Sequence, residues 1–262
     1  MSRYLACARM QFATVLTYRA DFLLTLGLLL VQIYLLRVVW TAVYADREVA
    51  AGVSVHTMIA YATLVSVQYA LFTSWRFSQI PQRVREGKVA MDLLRPVGFC
   101  GQMLAGQVGG TAATLPFILV VLPFALLVGG AAAPASALAA VCYAVSLLLA
   151  YVITQLLALT VGMVAFWTLE TTGMFMIYRV AAQFLSGALV PLWFMPEPLR
   201  LVAQLLPFQA TAYTPTAAYL GQLHGSGLAA ALGVQVLWVG LLAALARLVW
   251  SRAVYRVVVQ GG

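Results

Sequence analysis

Long apolar stretches recur along this chain, and each is long enough to cross a hydrocarbon core of about 30 Å as a helix. Of the 262 residues, 64% are hydrophobic and only 8% are charged, whereas about a quarter of the residues in a soluble domain are charged. The short alternating segments that a transmembrane β-barrel needs are absent. The sequence therefore predicts an all-α integral membrane protein with one transmembrane domain over residues 1–262.

The apolar stretches predict six transmembrane helices. Before them, in residues 1–20, the basic residues Arg3, Arg9 and Arg19 are mixed with apolar and aromatic side chains. That mixture predicts a helix that lies in the membrane interface and does not cross the bilayer. The six predicted spans cover residues 21–44, 55–75, 102–128, 135–166, 173–192 and 227–250.

The distribution of Lys and Arg predicts the orientation, because these residues accumulate in the cytoplasmic segments of membrane proteins. With the N-terminus inside, eleven of the fifteen basic residues lie on the cytoplasmic side. We therefore expect both termini to be cytoplasmic, and we attribute the net charge of +8 to this bias and not to binding of nucleic acid. The eleven are Arg3, Arg9, Arg19, Arg76, Arg83, Arg85, Lys88, Arg95, Arg247, Arg252 and Arg256.

Residues 76–100 form a charged island between the second and third predicted spans. Pro81 suits the first turn of a short helix, and Gly87 separates it from a second one that ends at Pro96. Two interpretations remain open: the helices insert an apolar edge into a groove of a cytosolic partner, or a solvated loop binds anionic lipid heads. The apolar edge consists of Ile80, Val84, Val89, Leu93 and Leu94.

A second segment, residues 193–226, lies on the predicted outer side and is unusually apolar. Pro196 and Pro198 begin a short amphipathic helix, and Pro207 ends it. We expect this segment to dip into the outer leaflet or to pack over the helix bundle. The apolar stripe of its helix is Leu199, Val202, Leu205 and Leu206.

Polar side chains within the spans form a further group of candidates. Arg37 and Arg179 lie inside spans, where a charge costs at least about 2.5 kcal/mol. Either arginine could face a substrate or another subunit, or it could snorkel or pair, Arg179 for example with Glu170. Glutamines in spans are more often hydrogen-bond partners between helices than ligands. The candidates for a substrate path or a subunit interface are Arg179, Gln183, Gln68 and Gln32.

Several motifs of catalysis and cofactor binding are absent from the sequence. It contains no GxxxxGK[ST] phosphate loop, no HExxH and no GxSxG. The cysteines Cys7, Cys100 and Cys142 lie far apart and match no metal-ligand spacing. We therefore predict neither a catalytic residue nor a metal site, and no cofactor bound by this chain.

Two blocks of the sequence resemble one family. REGKVAMDLLRP in the island and FLSGALVPLWFMPEPLRLVAQLLPF at 184–208 are similar to signatures of bacterial ABC-transporter permeases of the type-2 exporter class. In the first block the matching residues are Gly87, Asp92, Leu93, Leu94, Arg95 and Pro96. In the second block they are Ser186, Gly187, Pro191, Pro196, Pro207 and Phe208.

The resemblance implies a permease subunit in a bacterial inner membrane that exports a substrate. A separate cytosolic subunit would bind and hydrolyse ATP with Mg²⁺, and a second permease subunit, identical or related, would complete the assembly in the bilayer. The 76–100 loop would couple to the ATPase, and the second block would form an outer gate. The expected coupling residues are Gln79, Arg83, Arg85, Gly87, Lys88, Asp92, Leu93, Leu94, Arg95 and Pro96.

The alternative is a secondary transporter or channel driven by an ion gradient. That class often places acids within its spans for proton or ion relay. Here Asp21 and Glu170 lie at the edges of predicted spans and no span centre holds an acid, which counts against the alternative. An enzyme acting on lipid would need a catalytic cluster at one depth, and the sequence contains none. The sequence does not identify the substrate.

Overall fold

The computed structural model describes residues 2–17, 19–44, 49–50, 52–72, 78–168 and 171–256. Of the residues named above, Arg76 and Glu170 lie outside the described residues, as do the side chains of Arg19 and Asp21. A short antiparallel hairpin pairs β1 (Val49–Ala50) with β2 (Val53–Ser54), and the remaining regular structure in these ranges is helical. The helices are α1 (Ser2–Thr17), α2 (Arg19–Tyr44), α3 (Val55–Phe72), α4 (Ile80–Arg85), α5 (Lys88–Leu93), α6 (Phe99–Thr114), α7 (Ile118–Leu127), α8 (Ala137–Gly162), α9 (Thr172–Leu185), α10 (Glu197–Leu205), α11 (Tyr213–Tyr219) and α12 (Gly225–Ala253).

Five helical stretches in the described part of the chain are long and apolar enough to cross a membrane. They agree closely with five of the predicted spans, and the all-α membrane class is confirmed. The stretches are Leu23–Tyr44, Val55–Phe72, Phe99–Leu127, Ala137–Phe166 and Gly225–Arg256.

The predicted span at 173–192 corresponds to α9, which has only 14 residues. At 1.5 Å per residue it is about 21 Å long, shorter than a hydrocarbon core of about 30 Å. The helix ends there because the chain turns at Ser186 and Gly187, where Gly187 has φ +81°. Hydropathy does not register this turn, since apolar residues continue beyond it. The count of six spans stays a prediction.

Close contact between α1 and α6 is possible because α6 carries glycines at the contact. A Cβ atom at Gly109 would lie 2.0 Å from the backbone oxygen of Ala8, and one at Gly101 would lie 2.6 Å from the Tyr4 ring. Two glycines of α6, Gly101 and Gly109, thus meet the N-terminal helix. The location of this helix in the membrane interface stays a prediction.

The segment between α10 and α11, which contains a 3₁₀ turn at Gln209–Thr211, packs against the middle of α8 and α12. Ala210 is buried among Ile153, Leu157 and Leu242. Such backbone needs hydrogen-bond partners where no water reaches it. Gln235 of α12 donates to the Ala210 carbonyl at 2.8 Å, and Gln68 of α3 donates to the next carbonyl along the chain, that of Thr211. These two glutamines are therefore partners between elements, as the sequence suggested.

One end of the bundle brings together segments that are far apart in sequence. The N-terminal Arg3 donates from Nη1 to the Pro96 carbonyl at 3.2 Å. Trp250, near the end of α12, stacks on Phe99 at the start of α6 with 4.6 Å between the ring centroids. The start of α1, the charged island and the end of α12 thus lie at the same end, which we call the basic end.

Candidate functional site

The charged island folds as two short helices joined by a tight turn. Pro81 occupies the first turn of α4, where its missing N–H costs no hydrogen bond. Gly87 then takes φ +66°, a conformation that favours glycine, and its N–H donates to the Val84 carbonyl at 3.1 Å. The sequence signals of Pro81 and Gly87 therefore determine a helix–turn–helix between α3 and α6.

The inward face of this unit belongs to the core of the protein itself. Ile80 and Val89 are buried, and Val84 packs beside them against Phe99 and Met163. Of the apolar edge that one interpretation assigned to a partner's groove, Ile80 and Val89 therefore belong to the protein's own core, and Val84 is half-buried beside them. Their burial has a simple cause: each of these side chains removes apolar surface from water by packing on the adjacent spans.

A buried carboxylate determines the positions of two of the basic residues. Asp92 is 1% exposed, and its oxygens lie 2.6 Å from Arg83 Nη1 and 3.5 Å from Arg95 Nη1. Gln102 of α6 donates to the backbone carbonyls of Asp92 and Val97, both at 2.9 Å. Arg83 also donates to the side-chain oxygen of Gln79 at 3.4 Å. Arg83 and Arg95 therefore have an internal partner.

The opposite side of the unit is exposed, and its side chains are both basic and apolar. Met91 is 67% and Leu94 is 81% exposed, and Arg85 and Lys88 are also exposed. Lys88 pairs with the exposed Glu86 at 2.6 Å, a contact that water screens strongly. We call Arg85, Lys88, Met91 and Leu94 the loop face. Leu93 and Pro96 are exposed beside it.

The start of the island contacts the end of α8 without any spare space. A Cβ atom at Gly162 would lie 2.2 Å from the Ser78 hydroxyl oxygen and 3.4 Å from Ile80. The 3₁₀ turn Met163–Phe166 follows immediately and contacts α4. The start of the island is therefore packed directly against the end of α8 and the turn that follows it.

A cavity of about 1080 Å³ lies beside α2, α3 and α9. Of the predicted path residues, Gln32, Gln68 and Arg179 line it, and Gln183 is absent from its lining. Arg179 is the single charged residue among the described residues of the wall. The side chains of α2, which forms one wall, are mostly exposed and apolar, as expected for a surface in contact with lipid or another subunit.

A family model described as an ABC-2 family transporter protein matches residues 26–261 of the chain. The chain belongs to this family. It is thus the membrane-spanning permease component of an ABC transporter, and components of this type work with an ATP-binding subunit. No curated protein and no solved structure matches the chain significantly.

In this permease the residues predicted as an outer gate lie around the end of α9. The Ser186 carbonyl accepts from the Tyr213 N–H at 3.1 Å, and the Gly187 carbonyl accepts from the Tyr61 hydroxyl at 2.9 Å. Ser186 and Phe208 line the cavity. Their role as a gate stays a prediction. The three prolines differ in burial, since Pro191 and Pro207 are buried and Pro196 is exposed before α10.

Sequence reasoning missed three residues that shape these regions. Gln102 and Gly162 hold the island against the bundle, and Tyr61 fixes the turn at the end of α9. A polar side chain early in an apolar helix is a signal that could have indicated Gln102. Arg37 has a structural partner as well: it donates to the carbonyl of Val128, the residue that follows α7.

Proposed function

We propose that this permease exports its substrate across a bacterial inner membrane, driven by ATP that a separate cytosolic subunit hydrolyses. ATP and Mg²⁺ would be bound by that subunit and not by this chain. A second permease subunit, identical or related, would pair with this one in the bilayer. Family membership supports the assignment as an ABC-transporter permease. The loop face supports the proposed contact with the ATP-binding subunit.

The observation that carries the proposal is the division of the island into two faces. Its inner face is packed in the core, and its outer face exposes Met91 and Leu94 together with the cations Arg85 and Lys88. Large apolar side chains that stay exposed on a rigid, basic support are typical of a protein–protein contact. The loop face is therefore the proposed docking surface for the ATP-binding subunit.

Movement of this surface would be transmitted to the spans through closely packed contacts. The ATP-binding subunit would push on α4 and α5 as its own dimer closes. The contact of Ser78 with Gly162 and the packing of α4 on Met163–Phe166 would carry the movement to α9. Packed interiors transmit such displacements because they have few voids to absorb them.

The test is purification of the tagged permease from its native host in mild detergent, with identification and quantification of the proteins that accompany it. We expect an ATP-binding subunit in stoichiometric amount. Leu94→Asp combined with Lys88→Glu should reduce its recovery about tenfold or more, because both changes alter the centre of a contact. Arg252→Glu reverses a charge on an exposed residue near the same end and serves as the matched control.

Two results would contradict the proposal. One is a permease that purifies alone and does not crosslink to any ATP-binding subunit through the loop face. The gradient-driven transporter would then become the leading interpretation. The other is recovery of the ATP-binding subunit at the wild-type level with the double variant, which would place docking elsewhere on the chain.

A further inference from the structure

We propose that the cavity beside α2, α3 and α9 binds the anionic head of an amphiphilic substrate, with Arg179 as the cation that recognises it. This inference rests on the proposed transport function and specifies its substrate class. The juxtaposition that carries it is an arginine without a described partner and a buried amide oxygen without a partner, both in the wall of one apolar cavity.

Arg179 lies halfway along α9, and its side chain is exposed toward the cavity. It forms no hydrogen bond or ion pair with another residue that the structure describes, and Glu170 lies outside those residues. A cation held within a membrane-spanning bundle is costly, and such residues mark ligand and ion pathways when they face a cavity. An anion is the group that compensates this charge.

Gln68 supplies the second, independent observation. It is 2% exposed, and its Nε2 donates to the Thr211 carbonyl. Its Oε1 is buried and has no hydrogen-bond partner, although the residue lines the cavity. An unsatisfied buried acceptor costs about 1–3 kcal/mol. Because this atom has almost no accessible surface, a ligand O–H or N–H donor removes that cost only once the Gln68 side chain turns toward the cavity.

The other residues of the cavity wall indicate the chemistry of the part of the ligand that lies away from Arg179. Leu24, Leu28, Phe117 and Met176 contribute apolar surface. The cavity is about 1080 Å³, slightly above the range of roughly 300–1,000 Å³ that is typical of pockets for drug-sized ligands. An alkyl chain suits such a wall, and a phosphate or carboxylate suits the planar fork of an arginine. Together these features select an anionic amphiphile over a cationic or neutral one.

The experiment measures binding of tritiated lauryl phosphate to the purified permease, together with any subunits that accompany it, in dodecyl maltoside. Unlabelled lauryl phosphate, laurylamine, lauryl alcohol and inorganic phosphate serve as competitors. The variants are Arg179→Gln, Arg179→Lys and the control Arg247→Gln, which removes a positive charge from an exposed residue of α12 outside the cavity.

We expect lauryl phosphate to bind, and we expect Arg179→Gln to weaken it by about tenfold or more, because a charge-assisted hydrogen bond is lost. Arg179→Lys should retain part of the affinity, and Arg247→Gln should retain all of it. Laurylamine, lauryl alcohol and inorganic phosphate should compete poorly.

Three results would overturn the inference. Equal binding by the wild type and Arg179→Gln would show that the arginine does not contact the ligand. That result is expected if another residue of the chain already pairs with its charge. Competition by inorganic phosphate as strong as by lauryl phosphate would identify a free anion as the ligand. Loss of the second permease subunit in Arg179→Gln would identify the arginine as an interface residue. Recovery of the ATP-binding subunit is scored separately, so failure of the transport proposal is a different observation.

Discussion

At the scale of single residues, buried polar side chains determine where this apolar chain can depart from helical structure. Gln235 is 0% exposed and accepts from the Ser146 hydroxyl at 2.8 Å. Its amide donates to the carbonyls of Ala210 and Ser146 at 2.8 Å and 3.1 Å. The 3₁₀ turn around Ala210 is stable inside the bundle because these bonds replace those that water would make.

Gln235→Leu should therefore destabilise the permease. The substitution preserves the approximate volume but leaves the Ala210 carbonyl without its donor, a loss of about 1–3 kcal/mol. Thermal unfolding in detergent, followed by the loss of the monodisperse peak, should show a lower midpoint. Gln222→Leu changes an exposed glutamine in the same way and should leave the midpoint unchanged. An unchanged midpoint for Gln235→Leu would contradict this role.

Asp92→Asn should loosen the island without unfolding the spans. The asparagine has the same shape, but it removes the charge that Arg83 and Arg95 share, so two cations remain side by side without a carboxylate. We expect trypsin to cleave after Arg83, Arg85 or Lys88 several-fold faster, since local opening exposes these sites. Glu86→Gln neutralises an exposed acid of the same island and should change the rate much less. Cleavage at equal rates would show that Asp92 does not hold the loop.

At the scale of elements, helix packing depends on where glycine permits close approach. The backbone of α1 at Ala8 comes so close to Gly109 of α6 that no side chain fits between them. Gly27 of α2 has open space around it, with no atom within 4 Å of the position that a Cβ atom would take. Two glycines in apolar helices thus have different roles, which sequence alone does not distinguish.

Gly109→Leu should separate α1 from α6, because overpacking against backbone cannot be relieved by a change of rotamer. We expect a loss of about 1–3 kcal/mol of stability, seen as a lower midpoint of thermal unfolding in detergent. Gly27→Leu is the matched control and should be tolerated. Equal midpoints for the two variants would mean that α1 does not depend on this contact.

The elements themselves could largely be predicted from the sequence. Hydropathy located five membrane-length helices, and Pro81 with Gly87 indicated the turn between α4 and α5. The end of α9 could not be predicted, because the hydrogen bonds of Ser186 and Gly187 to Tyr213 and Tyr61 join distant parts of the chain. The same reason applies to the buried segment at Ala210, whose partners lie in α8 and α12.

At the scale of the whole molecule, the fold concentrates positive charge at the basic end. Arg3, the island and the end of α12 meet there, although they are far apart in the sequence. The sequence could predict this arrangement because the positive-inside bias acts on each loop separately. It could not predict which basic residues stay available to a partner, since that depends on the burial of Asp92.

We expect both termini to lie in the cytoplasm, because segments rich in Lys and Arg are retained on that side of the membrane. Alkaline phosphatase, which is active only outside the cytoplasm, should be inactive when fused after residue 256. The same enzyme inserted between Gln222 and His224, at the opposite end of α12, should be active and serves as the control. Activity of the C-terminal fusion would reverse the orientation.

The two faces of the island have a consequence for engineering. The shape of the island is specified by Asp92, Gln102 and the buried Ile80 and Val89, whereas its outer chemistry is specified by Arg85, Lys88, Met91 and Leu94. These two sets share no residue. If the loop face docks the ATP-binding subunit as proposed, exchange of these four side chains should change which ATP-binding subunit the permease accepts, while the scaffold that presents them stays the same.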